Sequence, residues 1–180
     1  MDYEKGNKGE TSDPTSLNNA IYLGANYYYS KQYDRATAQF KRILEFAPGT
    51  ERAHFFLSRI YELTGRYDEA VESALNERAI SHPDTVAPLR TAYQTSGIRG
   101  YWNKQIVLLK EESKDARGLE NHIASRYALL GDFEHANEYV EKNLKNLGTM
   151  WNLGRVDPIF DGLRSNPRFI ELMTKAAPTI

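Results

Sequence analysis

From Leu17 onward, apolar residues recur at helical spacing. Leu17, Ala20, Leu23, Gly24 and Tyr27 share one face at i, i+3, i+4, i+7 spacing. A turn follows at Ser30-Lys31-Gln32. A second helix then carries Tyr33, Ala36, Phe40, Ile43 and Leu44 on its inner side and stops before Pro48-Gly49. The same pattern returns 34 residues later: Leu57, Ser58 and Tyr61 follow Leu23, Gly24 and Tyr27, Tyr67 follows Tyr33, and Ala70 follows Ala36. Tyr93 and Gly97 map onto Tyr127 and Gly131 with the same offset, and the second unit runs to Pro83, one residue late. Self-similarity of this period is the mark of a stacked helical array. The expected organisation is a polar leader over 1–16 and four helix pairs over about 17–50, 51–83, 84–116 and 117–147. C-terminal capping helices are expected over 148–180.

Small residues stand where two helices of a pair must cross closely: Gly24, Ala36, Ser58, Ala70, Ala124 and Ala136. Asp34, Asp68 and Glu134 fall in the first turn of each second helix, where the macrodipole favours negative charge. The third unit departs from the pattern. After Gly97 comes Ile98-Arg99-Gly100-Tyr101-Trp102, which predicts an irregular turn and a second helix from about Tyr101 to Glu112. Asp157-Pro158 and Asn166-Pro167 place a capping side chain before a proline. Two short helices are expected after them, one holding Phe160 and Leu163, the other Phe169, Leu172 and Met173. Such a cap covers the apolar end of a repeat array.

With its period of 34, its Gly65-Arg66-Tyr67-Asp68-Glu69-Ala70 and its Gly131-Asp132-Phe133-Glu134-His135-Ala136, the chain resembles the tetratricopeptide repeat proteins. The string from Asp157 to Leu172, preceded by the Tyr101-Trp102 variant unit, is similar to the C-terminal repeat domains of bacterial signalling proteins. These include winged-helix regulators, serine/threonine kinases and nucleotide cyclases. The resemblance implies an all-α fold, an α-solenoid of about four helix pairs, and a protein- or peptide-binding role as an adaptor or regulatory domain. Its groove would be lined by the first helix of each pair. Carried over by register, the groove positions are Asn18, Ile21, Ala25 and Tyr28, then Arg52, Phe55, Arg59 and Glu62. Ala87, Thr91 and Gln94 follow in the third unit, and Asn121, Ser125 and Ala128 in the fourth. Two arginines, two aromatics and several amides suit a peptide with an acidic element. Relatives that clamp a chaperone's C-terminal carboxylate use Lys and Asn where this chain has Ile21 and Ala25, which argues against that specificity.

Composition narrows the function further. Twenty-three basic against 24 acidic residues give a net charge of −1, so no bulk field draws the chain to nucleic acid or anionic membrane. The absence of cysteine removes disulfides, thiolate metal sites and a thiol nucleophile. No apolar stretch is long enough for a membrane span, and the first 15 residues lack the apolar core of a signal peptide, so a cytoplasmic location is expected. His54, His82, His122 and His135 show no i, i+4 metal pair, and no phosphate loop, dinucleotide fingerprint or nucleophile elbow is present. Neither a cofactor nor a catalytic constellation is expected. Trp102 and Trp151 read as plugs where the repeat geometry breaks, or else as exposed anchors for a partner. Tyr27 matches the core position of Tyr61, so Tyr28 or Tyr29 is expected to point outward. The alternative function is a sensor for a small ligand or signalling peptide. A homodimer through the N-terminal end stays open.

Overall fold

The computed structural model describes residues 14–113, 118–147 and 156–175, and among these every regular element is helical. The chain divides into two compact units, one through Ser81 and one from His82.

The first unit is two helix pairs: α1 (Pro14–Tyr29) with α2 (Tyr33–Phe46), and α3 (Glu51–Leu63) with α4 (Tyr67–Ser81). Helix α1 starts at Pro14, inside the stretch expected to be a leader; proline is pre-organised for a first helical turn. The two pairs turn in the same way. Lys31 (φ 58°) and Gly65 (φ 73°) adopt left-handed backbone, the Gln32 N–H donates to the Tyr27 carbonyl at 2.8 Å, and the Arg66 N–H donates to that of Tyr61 at 2.8 Å. These six-to-one bonds satisfy the last carbonyls of the first helix. The next helix then begins at once, with Ala36 N–H on the Gln32 carbonyl and Ala70 N–H on the Arg66 carbonyl. Tyr28, Phe40, Phe56, Leu57, Ile60 and Tyr61 fill the core, where the Phe40 and Phe56 rings stack at 5.0 Å.

The second unit opens with a 3-10 turn at Pro83–Thr85 and α5 (Val86–Glu112). It continues with α6 (Glu120–Leu130) and α7 (Phe133–Leu147). The irregular turn expected after Gly97 is a single residue within α5. Gly97, at φ 62° and ψ −160°, breaks the helix without an intervening loop. A side chain on Gly100 would stand 2.9 Å from the Ala92 carbonyl oxygen, although eight residues of straight helix span about 12 Å. The chain therefore folds back sharply at Gly97, and Tyr101, Trp102, Ile106 and Leu109 bury the returning half. Trp102 fills the core rather than standing out as an anchor; Trp151 lies outside the described residues. The α6–α7 turn repeats the first unit's design, with Gly131 at φ 79° and the Asp132 N–H on the Tyr127 carbonyl at 3.0 Å.

Both proline caps form. Asp157 accepts from the Ile159 N–H at 3.0 Å, but the segment it starts, Pro158–Leu163, is a 3-10 helix rather than an α-helix. Asn166 accepts from the N–H groups of Arg168 (3.0 Å) and Phe169 (3.3 Å) to start α8 (Pro167–Lys175). The 3-10 segment packs on α6 and α8 packs on α7, burying Phe160, Leu163 and Phe169.

Candidate functional site

Helix α3 sets Arg52, Phe55, Arg59 and Glu62 at intervals of three and four, so they lie along one side of the helix. Arg52 is exposed, and its guanidinium lies over the Tyr22 ring of α1, 5.3 Å from the centroid. One turn on, half-buried Phe55 receives the Arg59 guanidinium at 4.7 Å and meets Phe56 edge-on at 5.3 Å. Phe56 in turn touches Tyr28 and Tyr29 of α1, with centroids 5.3 and 6.3 Å away. Two neighbouring first helices of unit one thus share a row of rings interleaved with two arginines. A guanidinium stacked on a ring is held in place while its N–H edge stays able to meet a carboxylate.

The burial pattern corrects the register taken from the sequence. Ile21, Ala25 and Tyr28 are core residues, with Tyr28 fully enclosed. The reason is that α1 packs against α3 as well as α2, so a second face of α1 goes inward, and Tyr28 supplies the contact with Phe56. Tyr22 (58% exposed) and Leu23 (44%) face outward instead, and Tyr29 is half-buried. Arg59 and Glu62 are buried too, so only Arg52 and Phe55 of the four α3 positions present surface. Asn18 remains exposed, one turn before Tyr22.

In the second unit, Thr91 and Gln94 are exposed on the first half of α5, as is Ala87 near its start. Asn121 and Ala128 on α6 are half-buried. Ser125 is fully enclosed and donates to the His122 carbonyl at 2.7 Å, so it is not a surface position. Sequence reasoning missed Tyr22. Its signal was a polar-aromatic stripe of Asn18, Tyr22, Asn26 and Tyr29 running alongside the register that was followed.

The histidines do not gather. His54 bonds the Pro48 carbonyl at 3.0 Å, and His135 pairs with Asp132 at 2.8 Å. Among the described residues no group of three His, Asp or Glu side chains is placed to hold a metal ion, and no helix is long and apolar enough to cross a membrane.

Residues 51–75, covering α3 and the first part of α4, match the family model of the tetratricopeptide repeat. The chain therefore contains a tetratricopeptide repeat, and its consecutive helix pairs have the all-α, α-solenoid class of architecture that this repeat builds. No curated protein matches the chain.

Proposed function

We propose that this repeat-containing chain binds a protein or peptide partner, as an adaptor or regulatory domain, and that the exposed face of α1 and α3 makes the contact. The observation that supports this reading is the Tyr22–Arg52 pair. It is an exposed aromatic ring under an exposed cation, on adjacent first helices, with Asn18 before it and Phe55 after it. Tyr and Arg are the residue types that carry most of the energy at protein interfaces. An arginine already held over a ring loses less side-chain entropy when a carboxylate arrives. The partner suited to it is a segment with an acidic side chain and an apolar one within a few residues. Thr91 and Gln94, with Ala87, are exposed positions of the same register in the second unit. The resemblance of the C-terminal part to repeat domains of bacterial signalling proteins supports a regulatory setting.

Affinity capture with the full chain tests the proposal when the native form is compared with a Tyr22→Ala/Arg52→Glu variant whose helicity is checked by circular dichroism. Both positions are exposed, so the variant is expected to fold. A partner held by the native form and lost by the variant supports the assignment; equal capture by both removes it. The sensor alternative draws on the sharp reversal at Gly97, which gives the third pair a geometry of its own. A ligand-dependent rise in melting temperature without any captured protein would favour it.

A further inference from the structure

A second cluster of cations and rings lies in the other unit, where the last turns of α5 meet α6 and α7. The Lys110 ammonium donates to the Tyr127 hydroxyl at 2.8 Å. It also sits 5.2 Å from the Tyr127 ring centroid and 5.5 Å from that of Tyr139. Lys142 places a second ammonium 4.3 Å from the same Tyr139 ring. The Tyr127 ring stacks on His135 (5.0 Å) and on Tyr139 (5.8 Å), contacts that restrain its hydroxyl.

Three features distinguish this cluster from a neutral packing contact. First, among the described residues neither Lys110 nor Lys142 has a carboxylate partner. Lys142 lies on the Tyr139 ring although Glu138 is one turn earlier, whereas Lys145 and Lys175 each pair with an acid one turn before them. Second, Asp132 at the start of α7 is already engaged by His135 at 2.8 Å. Third, a phenol that accepts from an ammonium keeps its own O–H to donate elsewhere, so Tyr127 offers a donor beside the two cations. The phenol oxygens also hold the Lys110 amine above its ordinary pKa, with the Tyr127 hydrogen bond as the main cause, so it stays cationic at neutral pH.

We infer that Lys110, Lys142 and the Tyr127 hydroxyl form a binding site for a phosphoryl group, supplied either by free phosphate or by a phosphorylated side chain of a partner. Both ammonium groups lie within 5.5 Å of the Tyr139 ring centroid, and a dianion with three or more acceptor oxygens has partners for each of them and for the phenol O–H. The site lies on elements separate from α1 and α3, and it stands whether or not those helices bind a peptide.

The test is a titration of the full chain, followed by amide and aromatic NMR shifts, with inorganic phosphate and with chloride at matched ionic strength. A glycine-flanked phosphoserine peptide and its unphosphorylated form are titrated in parallel. Saturable shifts centred on Lys110, Tyr127, Tyr139 and Lys142 are expected with phosphate and with the phosphopeptide. A Lys142→Gln variant, altered at an exposed position, should weaken both by about fivefold, and Lys142→Arg should restore most of the loss. Equal affinity for phosphate and phosphopeptide identifies a free anion as the ligand, whereas tighter phosphopeptide binding identifies a modified partner. Chloride reproducing the shifts, or native-strength binding by Lys142→Gln, overturns the inference.

Discussion

The ring of Phe40 reaches to within 2.7 Å of the point where a side chain on Gly24 would begin. The two residues fit because one has no Cβ and the other, fully buried, is stacked on Phe56 and has no room to withdraw. By register, the equivalent positions of the other regular pairs hold Ser58 with Ala74 and Ala124 with Val140. The larger the residue on the second helix, the smaller its opposite number.

Gly24→Ala is therefore expected to destabilise the first unit. Alanine improves helix propensity by about 1 kcal/mol. Overpacking against a fixed ring costs about 1–3 kcal/mol, so the net effect is a lower melting temperature. Phe40→Val opens a cavity and also destabilises alone. The double variant Gly24→Ala/Phe40→Val recreates the Ala124–Val140 pairing, and thermal unfolding should show it losing less than the sum of the singles. Strict additivity would show that the two side chains do not compete for one space.

The reversal at Gly97 makes a second prediction. Its φ of 62° with ψ of −160° belongs to a region that essentially only glycine occupies. Gly97→Ala should cost about 1–3 kcal/mol, read as an earlier denaturant midpoint for the second unit. An unchanged midpoint would mean that the turn relaxes into an ordinary loop. Gly100→Ala should also be harmful, because its methyl group would fall 2.3 Å from the Ser96 Cβ.

At the C-terminal cap, the Asn166 amide oxygen accepts from two backbone N–H groups and from the buried Asn137 amide at 3.0 Å. Asn166→Ala removes the cap of α8 and takes that acceptor from Asn137, at a cost of about 1–3 kcal/mol. Hydrogen exchange across α8 should rise first, since α8 holds to α7 by few other polar contacts among the described residues. Protection in α8 equal to native would contradict the assignment.

Glu141 ties the same two helices together, accepting from Lys145 at 2.9 Å and Arg168 at 3.1 Å. Those two cations, Lys145 first, hold its carboxyl below the ordinary glutamate range. A depressed folded-state pKa means the contribution is present above the unfolded value and is lost as pH falls through the folded one. The melting difference between native and Glu141→Gln should thus exist at neutral pH and vanish on the acid side. It should also shrink with added salt, because the Glu141 carboxylate is about one-third accessible to solvent and its Lys145 and Arg168 partners are more so.

The repeat was legible because each of its parts has a local cause. Left-handed turns at Gly65 and Gly131, small crossing residues and first-turn acids all recur at fixed offsets. The proposed binding face was less legible because α1 carries apolar and aromatic residues beyond a single stripe. Its segment from Ala20 to Tyr29 offers two apolar stripes, and only the position of α3 decides that Ile21, Ala25 and Tyr28 go inside. The Lys110–Tyr127–Tyr139 cluster was invisible for a related reason. Its members lie on three helices, and no spacing along the chain links them.

The partner proposed for the exposed face of α1 and α3 is a peptide with an acidic element. The direct test is to select peptides from a random library on the full native chain, then measure their equilibrium affinity for the native protein and for Arg52→Glu. Enrichment of acidic peptides, an affinity that falls with salt, and a loss of about tenfold or more on Arg52→Glu is the predicted result. Peptides that bind both forms equally, or that carry no acidic residue, would contradict it.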